Sequence, residues 1–263
     1  MFGHAVLEIA YSDLGKYVRN SRPHFEYAAR QAYPALKGDV RITADGKLVM
    51  CHDPGYTFGP DGRVTAFDKA RYRSFLDMSW DEVRRCRLGD AGALKGLDAQ
   101  PLSFAEYAEI CRDAGKLIYA TVRGDRIPEV MASLFGTVRE LGMEDRLIVN
   151  SFTYEALAEA RRYNAAVPLS HVQPLRELLA EDTVRKLAPL KPCCVTMFSF
   201  PDKGDAFAIV EASLPARRLA ASLGVEMHMA QVSTAEEREK LIALGFTGLQ
   251  MLKPLQPLAT EEY

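Results

Sequence analysis

Short apolar segments rich in β-branched residues alternate along the chain with longer stretches of helical periodicity, and this rhythm restricts the fold more than any other feature. It predicts strands at 5–10, 35–42, 48–52, 117–123, 147–152, 167–172, 193–200, 225–232 and 247–251. Helices are predicted at 23–32, 103–114, 128–141, 153–163, 175–187, 206–223 and 234–244. Several carry end signals: Ser103 with Glu106 forms a capping-box pattern, and Gly115, Gly142 and Gly224 follow helical runs as stops. Strand and helix in repeated succession indicate parallel β-α-β units. The count is near eight, with an extra short strand at 48–52, so a TIM (β/α)8 barrel of the α/β class fits better than an open doubly wound sheet. The turns after the strands also lack the G-x-G-x-x-G and Gly-Lys-Ser/Thr signatures of nucleotide-binding sheets. Residues 54–100 break the rhythm, being rich in Asp, Arg, Gly and turn signals with one helical patch at 79–86. They are expected to be a small insertion over the barrel mouth, leaving 1–263 as a single barrel domain.

Charge narrows the partners. The 33 Lys and Arg against 35 Asp and Glu give a formal charge of -2, no broad handle for nucleic acid or anionic membrane. No apolar run approaches the ~20 residues that span a bilayer. The first residues lack a basic region followed by a long apolar one, so a cytoplasmic location is expected. The cysteines, Cys51, Cys86, Cys111, Cys193 and Cys194, are odd in number and mostly flanked by apolar residues, as buried free thiols would be. Paired C-x-x-C or H-x-x-x-H spacings that would hold zinc are absent.

In a (β/α)8 barrel, chemistry sits at the C-terminal ends of the strands. Lys37 and Asp39 alternate on the second strand and so share a face, with Arg41 next in register. Charges in a strand otherwise suited to burial must compensate one another. That pair is either a functional element or an ion pair that closes the barrel interior. His52, followed by Asp53 and Pro54, ends a run of four apolar residues and falls at a strand mouth. There it serves either as a general acid/base or as a cap. His24 is expected on a helix surface, and His171 and His228 at the core or the rim.

The stretch Asp39-Val40-Arg41-Ile42-Thr43-Ala44-Asp45-Gly46, ending at His52-Asp53, resembles the glycerophosphodiester phosphodiesterase family's acidic-x-Asp-Val-x-x-Thr-x-Asp-Gly and His-Asp. Asn20-Ser21 and Phe25 fall where that family has Glu-Asn-Thr and a following Phe, and Val149-Asn150-Ser151-Phe152 is similar to its Val-x-Ser-Phe. Gly224 to Met227 and Gly245 to Leu249 match its last two strand entries. The resemblance implies a TIM-barrel phosphodiesterase with two acid/base histidines and a calcium or magnesium ion held by carboxylates. His52 matches the second histidine, and His4 is the candidate for the first. Asp53, Arg123 and Ser151 are then candidate substrate-binding residues, and Tyr56 and Phe58 candidates to cover the site. The family's tryptophan on strand seven falls at Ala230.

The family's Glu-x-Asp is here Lys37-Gly38-Asp39, and its Glu-x-Lys is Thr121-Val122-Arg123. A hard dication needs several anionic oxygens, and an ammonium in the site repels it. No metal and no other cofactor are therefore expected, with Lys37 in place of the cation, oriented by Asp39 and assisted by Arg123. The expected partner is a small phosphodiester. A competing reading is a catalytically degenerate paralogue that binds a phosphorylated ligand without turnover. A third makes Lys37 a Schiff-base lysine, which Asp39 opposes by favouring the charged form.

Overall fold

In a computed structural model of the chain, the structure describes residues 6–11, 17–59, 62–65, 68–88, 99–124, 126–174, 178–198 and 206–253. Two compact units can be distinguished, Ser12–Leu147 and the pair of segments Met1–Tyr11 and Ile148–Tyr263. In chain order the elements begin with Leu7–Ala10 (β1), Arg22–Ala29 (α1), Ala35–Ile42 (β2) and Leu48–Met50 (β3). Gly55–Phe58 (β4), Val64–Thr65 (β5), Tyr72–Ser74 (β6) and Trp80–Val83 (α2) follow, then Phe104–Asp113 (α3), Leu117–Val122 (β7) and Ile127–Glu140 (α4). The chain continues through Leu147–Ser151 (β8), Tyr154–Tyr163 (α5), Leu169–Pro174 (β9), Glu181–Leu187 (α6) and Cys193–Phe198 (β10). Ala206–Ala212 (α7), Leu214–Leu223 (α8), Glu226–Val232 (β11), Ala235–Ala243 (α9) and Gly248–Met251 (β12) complete it.

In the unit holding both chain ends, β1, β12, β11, β10, β9 and β8 lie side by side in that order, with the parallel register Leu7 to Gly248 and Cys194 to Glu226. In Ser12–Leu147, β2 pairs in parallel with β7, setting Lys37 opposite Tyr119 and Asp39 opposite Thr121, while β3 returns antiparallel along its other edge. Eight parallel strands separated by helices make the fold a (β/α)8 barrel. Ser103 caps α3 and Thr234 caps α9, each in a reciprocal capping box. Among the described residues no helix is long and apolar enough to cross a membrane.

Four local expectations change. The insertion carries the expected helical patch as α2 but is folded further than its turn signals indicate. It forms an antiparallel sheet in the order β5, β4, β6, and Tyr56, Phe75, Met78, Val83 and Cys86 make a core beneath it with Val49 of β3. Tyr56 therefore packs that core, ring edge-on to Phe75 at 4.8 Å, instead of covering the site. The predicted helix 206–223 is two helices, because Pro215 at the start of α8 lacks the N–H that would continue α7. His24, expected on the surface, is buried on α1 with its ring edge-on to Phe25 at 5.1 Å.

Candidate active site

The site is built on β2. Its alternation turns Lys37 and Asp39 to one face and Gly38 to the other. A Cβ at Gly38 would meet Met50 Cε at 2.3 Å and the Phe25 and Tyr107 rings at 3.2 and 3.3 Å, so the helix-facing side is packed against the bare backbone. On the opposite side Asp39 is wholly buried and Lys37 nearly so. One carboxylate oxygen of Asp39, Oδ1, accepts from Lys37 Nζ at 2.9 Å and from Arg123 Nε, just past the end of β7, at 2.9 Å. The other, Oδ2, accepts from Asn20 Nδ2 at 3.2 Å, and Asn20 Oδ1 accepts the Asp39 backbone N–H at 3.0 Å. Asn20 presents its amide from a left-handed conformation, φ 59°, which Asn tolerates better than most residues.

Burial alone would push the Asp39 carboxyl up, but the ammonium of Lys37 and the guanidinium of Arg123 overcome it and hold the group far below the usual carboxylate range. Burial pulls Lys37 the other way, down to about 8, against the resistance of Asp39. The ammonium is thus charged at neutral pH, but not far above it. Arg41, and Arg19 further out, add positive charge around the same carboxylates. The four cations outnumber Asp39 and Asp53 by two, a surplus suited to a bound anion.

His52 lies beyond the end of β3, in the turn entering the insertion. Its Nδ1 is 2.8 Å from Asp53 Oδ1. An ionised carboxylate only accepts, so Nδ1 carries the proton and Nε2 is left as the basic atom. The hydrogen bond from His52 leads the causes that hold the Asp53 carboxyl below its ordinary value. Arg41, in register with Asp39 on β2, is turned to the His52 backbone carbonyl, which accepts from its Nε at 3.2 Å and Nη2 at 2.7 Å. Asp45 of the family-like Thr-x-Asp-Gly stretch is structural. It accepts the Thr43 hydroxyl at 2.5 Å and the Trp80 N–H at 3.0 Å, tying the β2–β3 turn to α2.

The structure thus brings together Lys37, Asp39 and Arg123, and pairs His52 with Asp53. Asn20 and Arg41 join them, although the sequence assigned neither a role there. Ser151 ends β8 in the other unit, where its Oγ accepts the Thr153 N–H at 3.3 Å. His4 lies outside the described residues. His228 is a core residue, with Nδ1 3.4 Å from Cys194 Sγ and Nε2 3.5 Å from Glu226, and its ring fills the space a side chain at Gly248 would take.

The donor set does not suit a divalent cation. Positions 37, 39, 121 and 123 offer one carboxylate, and both its oxygens are already hydrogen-bonded, one of them to two cations. A calcium ion needs six to eight oxygen ligands at roughly 2.3–2.6 Å. Here it would also face an ammonium where a second carboxylate would have to stand.

A cationic cluster and a His-Asp pair thus lie in one half of a parallel (β/α)8 barrel. The model of the glycerophosphoryl diester phosphodiesterase family matches residues 14–249, and the chain belongs to that family. No curated protein matches it in sequence. Among solved structures, it is similar to a Silicibacter pomeroyi DSS-3 protein assigned as a glycerophosphoryl diester phosphodiesterase, with 19% identity over 96% of this chain and 91% of that one and a TM-score of 0.75. The Oleispira antarctica phosphodiesterase, solved in complex with the product sn-glycerol-3-phosphate, is 16% identical over 94% and 93% of the two chains, with a TM-score of 0.74. The glycerophosphodiester phosphodiesterase of Parabacteroides distasonis is 15% identical over 95% and 94%, with a TM-score of 0.71.

Proposed function

We propose that this protein is a phosphoric diester hydrolase that cleaves a small glycerophosphodiester-like substrate without a resident divalent cation. The observation that carries the reading is the buried trio in which Lys37 and Arg123 both stand 2.9 Å from Asp39 Oδ1. In phosphoryl transfer a metal neutralises charge on the non-bridging oxygens. Lys37, locked by Asp39, puts a fixed positive charge in that place. Arg123, whose side chain is 17% exposed against 4% for Lys37, is the cation that meets the phosphate. Family membership and the glycerol phosphate bound by the Oleispira antarctica relative support a small phosphate ester as ligand.

The His52–Asp53 pair supplies acid/base chemistry. His52 Nε2 accepts a proton from a water or a substrate hydroxyl as its oxygen bonds to phosphorus, or returns one to the departing alcohol oxygen as that P–O bond breaks. His4 fills the complementary role. The products are a phosphomonoester, or a cyclic phosphate where a substrate hydroxyl attacks, and a free alcohol. Ser151 contributes to substrate binding. The free cysteines, four of them buried and Cys51 half-buried, favour a reducing, cytoplasmic setting.

Hydrolysis of glycerophospho-alcohols, phosphoinositol and an activated aryl diester, compared between the wild type and His52→Ala, tests this directly. Turnover reduced by about 100-fold or more in the variant is expected, within the range of about 10²–10⁴ for a lost acid/base. No turnover by the wild type, with phosphate esters still raising its melting temperature, would instead establish a binding protein.

A further inference from the structure

The backbone that carries His52 is held by Arg41, one of the cations around Asp39 and Asp53, to which the proposed chemistry gives no contact with the substrate. Beyond β3 the chain leaves the sheet through Cys51, whose N–H donates to the Asp39 carbonyl at 2.9 Å. The next carbonyl, that of His52, receives two nitrogens of one guanidinium, Nε and Nη2 of Arg41 at 3.2 and 2.7 Å. A planar fork makes this grip; an ammonium on a flexible stem does not reproduce it. The remaining nitrogen, Nη1, points at Gly124, where a Cβ would lie 2.8 Å from it and where φ is +92°. Position 124 thus leaves the fork the room it occupies. Among the described residues the His52 ring itself has one hydrogen-bond partner, the exposed side chain of Asp53. Its placement is therefore inherited from its own backbone.

We infer that Arg41 is a positioning residue which fixes the His52 backbone so that the ring meets its proton donor or acceptor, with Gly124 providing the clearance. The inference rests on the reading of His52 as the acid/base. Proton transfer needs a heavy-atom approach of roughly 2.6–3.2 Å, and a displacement of about 1 Å costs on the order of 100-fold in rate. Arg41 differs in this from Arg123, which serves by charge. The two roles separate experimentally, because lysine keeps the charge of Arg41 and loses the fork.

Arg41→Lys, Arg41→Ala and Gly124→Ala are compared with the wild type in steady-state cleavage of an activated aryl diester. The His52 ring is followed by NMR of histidine-labelled protein and assigned with His52→Ala. The expected result is a kcat lower by about 100-fold in both Arg41 variants with KM little changed, and a smaller loss in Gly124→Ala. Added guanidinium restores Arg41→Ala and leaves Arg41→Lys unchanged, and the His52 resonance shifts or broadens in all three. Wild-type kcat in Arg41→Lys would overturn the inference, as would a loss confined to KM or a His52 resonance unmoved in the variants. If the wild type turns nothing over, the acid/base reading of His52 fails, while the NMR comparison still decides whether Arg41 orders that segment.

Discussion

The proposed chemistry turns on Lys37. Burial and two charged neighbours set its ionisation: burial lowers it, Asp39 opposes the fall and Arg123 adds to it, leaving the ammonium at about 8. The folded value lies below the ordinary 10.5, so the group sheds its charge in the alkaline range where an exposed lysine keeps it. If that charge replaces a cation, cleavage declines as the pH rises through about 8. Arginine stays protonated at any working pH, so Lys37→Arg moves this alkaline limb upward even where its absolute rate is lower. A pH-rate profile of both proteins checks this, and an unshifted limb in the variant would assign it to another group. The Lys37–Asp39 pairing was legible in the sequence, because two charges at period two in an apolar strand must face each other. The contributions of Asn20 and Arg41 were not. Both act through hydrogen bonds that close only once β2, β3 and the segment before α1 are assembled.

At the scale of elements, β2 has one face that carries Lys37 and Asp39 and another that is packed against helices. Its limits, Ala35–Ile42, were legible in the sequence, since Leu36, Gly38, Val40 and Ile42 alternate with Lys37, Asp39 and Arg41 at the period of a strand. The packed face depends on Gly38. Gly38→Ala drives a methyl to within 2.3 Å of Met50 Cε and against two rings, and a loss of about 1–3 kcal/mol in unfolding free energy is expected, readable by denaturant titration. Met50 ends in a flexible methyl that gives way more easily than the Phe25 and Tyr107 rings, which places the effect toward the lower end. No loss would mean that this face is less tightly packed than described. The sheet of the insertion escaped sequence reading for a simple reason. Its strands are 4, 2 and 3 residues long, too short for alternation to rise above the surrounding turn signals.

At the scale of the whole molecule, strand-helix alternation was enough to give the barrel class, and the residue pattern from Asp39 to Asp53 was enough to give the family. Neither reports which charges neutralise which. The sequence revealed that two carboxylates expected of the family were missing. The geometry adds that the remaining one, Asp39, is saturated by Lys37, Arg123 and Asn20. The family's barrel is retained, and the proposal that fixed cations stand in for its metal rests on this saturated carboxylate. The most direct test is the rate of diester cleavage in excess chelator, and again with calcium restored, for the wild type and for Lys37→Glu, which returns the acid the family carries there. A wild-type rate indifferent to chelation and to calcium is expected, and a variant with little activity in chelator. A wild type that stops in chelator and recovers with calcium would contradict it.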